Sequence, residues 1–491
     1  MKYQIDYSNG GGKATEIVSA DVEGELYKAV GQHLAEVAVP STIEVRCLDN
    51  DGETAVFEVT QRGAYVVGGV TRPSIYVKEV NNTICLPASR YAEAYLVCVN
   101  AESNNYKYYH LMPQASGQID VEYGRMGVEA GQMFGKRRIK EPYPGRMYWI
   151  RYYEKLSKGY VDRSSTYLET AAPKASKAVL PSVQETLSAA LWKRLLGFAH
   201  KHVEETLTNA NVTEAQVKEA RRIFERMSTR KSVKGFNRQL LELLALSPRR
   251  ASKVADLLAR DTEEFPQIIA REESLILAME AVASGHTTDK DGIAQAGITL
   301  FKATPEQEEA ILGRLSPRLR QKVVHLWRVI DKPAKQRFED YRKRSGFTHV
   351  REAFHGSRNE NWASILTKRL QLYPDAAITG KMLGQCLYFA VKNPDGSEKS
   401  EKYTSLRGSY WAHGTSNTGF MGVYALAYHP KVIGPGDTLR SFRAAELKAM
   451  GCNCVHAQKG LYANGRRLYN DEIGVFDQDA VLINYLIEFT N

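Results

Sequence analysis

Long apolar runs are missing from this chain. No stretch approaches the roughly 18–20 consecutive apolar residues that span a bilayer. The opening "MKYQIDYSNGGGKATEI" alternates in polarity and has no apolar signal-peptide core. A soluble, intracellular protein without a membrane partner is the expectation, cytoplasmic in a bacterium or nuclear in a eukaryote. Cysteine is sparse too. Cys47, Cys85, Cys98, Cys386, Cys452 and Cys454 are scattered through 491 residues, which argues against a disulfide framework and fits a reducing compartment. Only "GCNCVHA" brings Cys452, Cys454 and His456 together. A C-x-C-x-H run lacks a fourth ligand, and an alternating strand explains it as well, so no metal is expected. Zinc-finger spacings are absent. So are G-x-G-x-x-G and G-x-x-x-x-G-K-[ST], which argues against Rossmann and P-loop nucleotide binding.

What is present is an uneven positive charge. The net charge is +10, yet residues 1–85 hold 7 Lys/Arg against 12 Asp/Glu, which leaves +15 on the remainder. An acidic N-terminal unit therefore precedes a basic body compatible with nucleic acid. The length allows three or four domains.

Residues 1–80 read as a small α+β unit. "YQID" and "STIEVRCL" form strands around a helix in "DVEGELYKAVGQHLAEV", and "LDNDGE" supplies hairpin chemistry before "TAVFEVT". Residues 86–172 are Tyr-rich with strand alternation, mostly an antiparallel sheet, and end in a helix in "PGRMYWIRYYEKLSKGY". The Pro/Ala/Ser/Lys segment "TAAPKASKAVLPS" reads as a linker. Residues 184–284 are an all-α bundle, with Thr213 and Gln216 as a capping-box signature and Val217, Ala220, Phe224 and Met227 as one apolar face. "ASGHTTDKDGIAQAG" is a second linker. Thr304-Pro305 and Ser316-Pro317 each open a further helix, and short strands follow from residue 346 onward. The last domain, 296–491, is expected to be mixed α/β.

Four fragments of that domain carry chemistry. "REAFHGSRNENWASIL" is a strand, a His355-Gly356-Ser357 corner and a short helix. "TGKMLGQCLYFAV", "SEKSEKYTS" and "RLYNDEIGVFD" follow in that order. Each alone is weak. Tyr388 would be a core tyrosine, Ser400 and Tyr403 a solvated turn, and Glu472 a surface charge. Their joint order resembles the catalytic domain of the poly(ADP-ribose) polymerases. Upstream, 184–284 resembles the helical regulatory domain of DNA-dependent members, and "NNYKYYHLMPQASGQIDVEYGRMG" resembles their Trp-Gly-Arg domain. Residues 1–80 lie outside the resemblance.

The resemblance implies NAD as substrate, with no metal. His355 would orient the adenosine ribose, and the Gly356 backbone with the Ser400 hydroxyl would clamp the nicotinamide amide. Tyr403 would stack on the nicotinamide ring, Tyr388 would form the opposite wall, and Ser357 belongs to the same binding corner. Glu472 would be the catalytic carboxylate and His355, Tyr388 and Glu472 the catalytic trio. Asp471 stands as a one-residue insertion beside Glu472 and leaves that register open by one position. The segment "FAVKNPDGSEK" is longer than its family counterpart, and Gln371 stands where some relatives carry Arg.

In the Trp-Gly-Arg-like unit the motif reads Tyr123-Gly124-Arg125. Tyr can still stack on a terminal base or sugar and Arg125 can meet a phosphate. From Lys136 through Arg137 and Arg138 to Arg163 there are 9 Lys/Arg and 3 Asp/Glu, interleaved with tyrosines. That pattern suits a reader of nucleic-acid ends and also an ordinary solvated surface. The expected activity is NAD-dependent ADP-ribosylation of the protein itself or of partner proteins, switched on by DNA ends, nicks or breaks that relieve a helical-domain restraint. The alternatives are a non-catalytic nucleic-acid-binding reader of NAD or ADP-ribose, and an NAD glycohydrolase with water as acceptor.

Overall fold

The computed structural model of the chain describes residues 1–67, 70–126, 138–168, 183–208, 210–251, 253–287, 298–372, 383–391, 417–438, 440–463 and 466–490. The protein is multidomain and mixed α/β. It groups into two compact units, one of Met1–Thr170, Leu207–Asn209 and Leu240–Leu258, the other of Ala171–Thr206, Ala210–Gln239 and Ala259–Asn491.

The first unit holds two antiparallel sheets. Strands β1 (Lys2–Asn9), β2 (Gly12–Ser19), β3 (Ser41–Cys47), β4 (Thr54–Val67) and β5 (Val70–Asn82) run in the order β2-β1-β3-β4-β5, with α1 (Glu23–Gln32) adding Leu26, Tyr27 and Val30 to their core. Strands β6 (Ala94–Asn100), β7 (Asn105–Pro113), β8 (Gln118–Arg125), β9 (Arg138–Pro144) and β10 (Val161–Asp162) follow the order β10-β6-β7-β8-β9. Helix α2 (Tyr148–Ser157) serves both sheets. Ile150, with Met147 just before the helix, packs into the first core, and Tyr148 packs into the second. The spacing of three between 147 and 150 keeps those two on one face. Two buried charges on α2 are paired, Arg151 with Glu154, and Arg151 also donates to the Val77 carbonyl at 2.9 Å. A one-turn helix, α3 (Ser164–Tyr167), closes the unit.

The second unit opens with helices α4 (Val183–Thr206), α5 (Glu214–Ser228), α6 (Val233–Leu246, in this unit as far as Gln239) and α7 (Phe265–Thr287). The Thr213 hydroxyl caps α5 by accepting from the Gln216 N–H at 3.1 Å, and both α4 and α5 pack on α7. The helical backbone of α7 continues through "ASGHT", which the composition had suggested as linker.

The C-terminal region follows with β11 (Ile298–Lys302), α8 (Pro305–Leu312), α9 (Pro317–Arg320), β12 (Val323–Asp331), α10 (Lys332–Ser345), β13 (Val350–Gly356), α11 (Trp362–Lys368), β14 (Leu387–Ala390), β15 (Thr418–Ala427), β16 (Pro430–Ile433), α12 (Ala444–Ala449), β17 (Cys454–Ala457), β18 (Tyr462–Ala463), β19 (Arg466–Arg467), β20 (Glu472–Val475) and β21 (Val481–Thr490). Thr304 and Gln307 make a reciprocal capping box on α8, as its Thr-Pro start predicts. Ser316-Pro317 starts only a single turn rather than a full helix, because the next residues pair with β21 as strand β12. Asp331 then caps α10, accepting from the Ala334 N–H at 2.7 Å. Gly346 ends that helix at φ 75°, a left-handed turn that glycine adopts without steric cost.

The sheet order is β11-β12-β21-β15-β13-β14-β20-β17-β16, and β18 and β19 form a separate small hairpin. One seam is thin among the described residues. β13 pairs with β15 along its whole length, and β14 with β20 likewise, whereas the described pairing between β13 and β14 is Phe354–Ala390.

Candidate active site

His355, Tyr388 and Glu472, which the sequence singled out, lie on β13, β14 and β20. Ala390 lies opposite both Phe354 and Glu472, so one row of the sheet reads Phe354, Ala390, Glu472. His355 follows Phe354 directly. Two strand spacings of about 4.8 Å separate its strand from that of Glu472, or about 10 Å in all. Strand alternation puts Tyr388 and Glu472 on one face, while strict alternation would send His355 to the other. The β13–β14 ladder ends at Phe354, and the imidazole is held at the seam by a 2.8 Å hydrogen bond from Nδ1 to the Tyr388 carbonyl. A carbonyl only accepts, so Nδ1 carries a proton, and in the neutral ring Nε2 is then an acceptor. The ring sits 5.6 Å from Phe389 and 5.9 Å from Tyr424, edge-on to the latter.

The Tyr388 side chain is held in place by its hydroxyl. Its hydroxyl accepts from the Leu383 N–H at 2.9 Å and donates to the Gly384 carbonyl at 3.3 Å. Burial, with Cys386 beside it, pushes the phenol well above its usual range. Gly474 faces Tyr388 across the ladder. A Cβ there would lie 2.5 Å from Cys386 Sγ and 3.2 Å from Leu383 Cδ1, so this position has no room for a side chain.

The inserted Asp471 sits on the opposite face from Glu472. Its carboxylate, 2% exposed, accepts from His456 Nε2 at 2.8 Å and from the Lys459 N–H at 2.8 Å. Glu472 is the carboxylate that shares the row with Ala390 and Phe354, and it is 8% exposed.

The His-Gly-Ser corner is wired to the helical bundle, which sequence reasoning missed. Gly356 pairs with Met421 on β15. Asn361 Nδ2 donates to Ser357 Oγ at 2.9 Å, and Asn361 Oδ1 accepts from Ser274 Oγ of α7 at 3.0 Å. One helical turn further on, Ser364 donates at 2.9 Å to Glu280 of α7, which also accepts from Arg221 Nε of α5 at 2.7 Å. Arg194 of α4 makes a bidentate pair with Glu488 of β21 at 2.5 and 3.0 Å. Partners so far apart in sequence leave no local pattern to read. Ser400 and Tyr403 lie outside the described residues.

In the first unit, Tyr123 and Gly124 lie on β8 opposite Tyr109 and Tyr108. Tyr123 lines a cavity of about 190 Å³ with Tyr76, Tyr109, Tyr143, Lys155 and Lys158, among others. The Lys155 ammonium stands 4.2 Å from the Tyr109 ring centre, and the Arg151 guanidinium 4.6 Å from that of Tyr143. Arg125 instead donates to the Asn104 carbonyl at 2.7 Å and to its side-chain oxygen at 3.0 Å. The Arg138 backbone pairs with Tyr123, whereas Lys136 and Arg137 lie outside the described residues. Tyr76 comes from the N-terminal strands, in which the sequence offered no chemistry.

His456 is occupied by Asp471 and Tyr428, and burial pushes the Cys454 thiol up to about 12. Among the described residues no group of three or more His, Cys, Asp or Glu is placed to hold a metal ion. No helix among them is long and apolar enough to cross a membrane.

No curated protein matches the chain. Residues 310–407 match the family model of the poly(ADP-ribose) polymerase catalytic domain, a segment that contains His355, Gly356, Ser357 and Tyr388 but stops short of Glu472. The match is a likeness to that catalytic domain over this segment alone.

Proposed function

We propose that the protein transfers ADP-ribose from NAD to itself or to partner proteins, building oligomers or polymers and releasing nicotinamide. The observation that carries this reading is the Phe354–Ala390–Glu472 row at the thin seam of the sheet, with His355 on one lip and Tyr388 and Glu472 on the other. NAD already holds a positively charged leaving group, so neither metal nor covalent nucleophile is required. Breaking its nicotinamide glycosidic bond develops positive charge on the ribose, which a carboxylate bonded to the ribose 2′-hydroxyl stabilises. The same carboxylate polarises an incoming acceptor hydroxyl. Nε2 of His355 is the acceptor for an adenosine-ribose hydroxyl, and bare Gly356 lets the nicotinamide amide approach the backbone. These last two groups supply position.

The regulatory part of the reading adds DNA ends as activator. Its support is the tyrosine-lined, lysine-flanked cavity around Tyr123, together with the hydrogen bonds that tie α7 to the residues just after His355. The test is labelled NAD with and without broken or nicked DNA, beside Glu472→Gln. Label in protein that requires Glu472 and rises with DNA is the expected result. Free ADP-ribose without labelled protein would assign a glycohydrolase, and binding without turnover a reader.

A further inference from the structure

We infer that Asp471, acting through His456 and Tyr428, is a positioning residue that sets where Glu472 stands relative to His355. The inference rests on the reading of Glu472 as the carboxylate beneath the reacting ribose. On the face of the sheet away from that carboxylate, a hydrogen-bond chain, partly exposed at Arg351 and Tyr428 and buried at His456 and Asp471, crosses the seam. Arg351 Nη1 donates to the Tyr428 hydroxyl at 3.1 Å, and Tyr428 lies 2.6 Å from His456 Nδ1. His456 Nε2 lies 2.8 Å from Asp471, whose second oxygen accepts the Lys459 N–H, also at 2.8 Å.

One proton arrangement satisfies every link. Arg351 can only donate, so the Tyr428 oxygen accepts from it and passes its own proton toward Nδ1. Nδ1 must then hold a lone pair, Nε2 carries the hydrogen, and an ionised Asp471 accepts at both oxygens. The imidazole is neutral, which agrees with the downward push that burial exerts on it. His456 is 8% exposed and Asp471 2%, so that end of the chain is shielded from competing water.

What the chain connects gives it its function. Arg351 stands on β13, the strand that ends in His355-Gly356, and Tyr428 follows β15, its neighbour. His456 belongs to β17, and Asp471 immediately precedes Glu472 at the start of β20. The Tyr428–His456 bond therefore links the end of β15 to β17, on either side of the β13–β14 seam whose ladder pair among the described residues is Phe354–Ala390. One end of the chain adjoins Glu472, and the other lies on the strand that carries His355, four residues before it. Packing alone would be served by an apolar residue at 471. An ionised carboxylate held by two donors fixes the backbone of the next residue in position and in direction.

The test compares wild type, Glu472→Gln, Asp471→Asn and Tyr428→Phe in the full-length protein, measuring kcat and KM for NAD together with thermal melting. Asn at 471 keeps the volume but turns an N–H toward one of two donors. Tyr428→Phe deletes only the hydroxyl that spans the seam. Both are expected to lower kcat by about 10–100-fold, the loss that a displacement of about 1 Å produces, with KM for NAD within about twofold of wild type. Tyr428→Phe is expected to be the milder of the two and to stay folded. If Asp471→Asn fails to fold, Tyr428→Phe decides alone. Unchanged kcat in a folded variant, or a loss confined to KM, overturns the inference while leaving the proposed reaction standing. A wild type no more active than Glu472→Gln overturns the reaction itself.

Discussion

Replacing Ser364 by Ala tests whether the helical bundle restrains the site. Ser364 is fully buried on α11, and its hydroxyl donates to Glu280 of α7 at 2.9 Å. Glu280 keeps its second partner, Arg221, so the substitution strands no unpaired charge. The loss is one hydrogen bond to a charged acceptor, worth about 1.5–3 kcal/mol. The remaining Arg221 pair and partial solvent access favour the lower end, about 1.5 kcal/mol. If this contact exists only while the bundle is docked, the released population rises by about tenfold, since 1.4 kcal/mol is a factor of ten. Activity without DNA should rise by up to that factor, and activity with saturating DNA should not change. Nicotinamide release from NAD, measured at a range of DNA concentrations, reads both values. A folded Ser364→Ala protein whose DNA-free rate equals wild type would refute the restraint through this contact. A rise in both rates together would place the effect in the catalytic site instead.

Other expectations follow from the same geometry. Glu472→Gln should lower transfer by about 100- to 1,000-fold while NAD still binds, which separates chemistry from binding in a calorimetric titration. Tyr123→Ala should weaken binding of a DNA end by about 1–3 kcal/mol, the contribution of one stacked base. Lys155→Gln with Lys158→Gln should flatten the salt dependence of that binding by about two in slope. His456 is neutral when folded because burial lowers its pKa below the ordinary 6.5, and Asp471 only partly offsets that shift. The unfolded chain therefore takes up the proton first as pH falls. The stability linked to this group is complete above 6.5 and is lost progressively below it. Melting followed across that range, with His456→Gln as the flat reference, checks the sign.

The elements that carry the candidate residues were legible in the sequence; the contacts that hold those residues were not. The His355-Gly356-Ser357 corner, the Tyr388 strand and the Glu472 strand are local patterns of a few residues, and each forms the element that its text suggests. The one-residue ambiguity at Asp471-Glu472 could not be resolved locally, because two adjacent acids look alike until strand pairing assigns each a face. Pairing also decided β12, where a Ser-Pro helix start gave way after one turn to a partnership with β21, more than a hundred residues away. The same distance hid Ser274, Glu280 and Tyr76. Each is an unremarkable residue in its own segment and matters only for what folding brings against it.

Among the described residues, β13 and β14 in the middle of the sheet share one ladder pair, which looks like a weakness, since ladder pairing is what holds neighbouring strands in register. On the proposed reading the dinucleotide lies beside β13 and β14, and a short ladder there leaves the width of the seam less restrained by pairing. The width must then be set by other contacts, and the structure places them on both sides. His355 bonds to the Tyr388 carbonyl at the seam itself. The Arg351–Tyr428–His456–Asp471 chain crosses behind it, and Asn453 adds a second tie there by donating to the Ala427 carbonyl at 2.8 Å. Directional hydrogen bonds between buried groups suit that task better than apolar packing does, because they specify a separation as well as favour contact. On this view the polar residues buried behind Glu472 follow from the seam, and loosening them should cost turnover before it costs the fold.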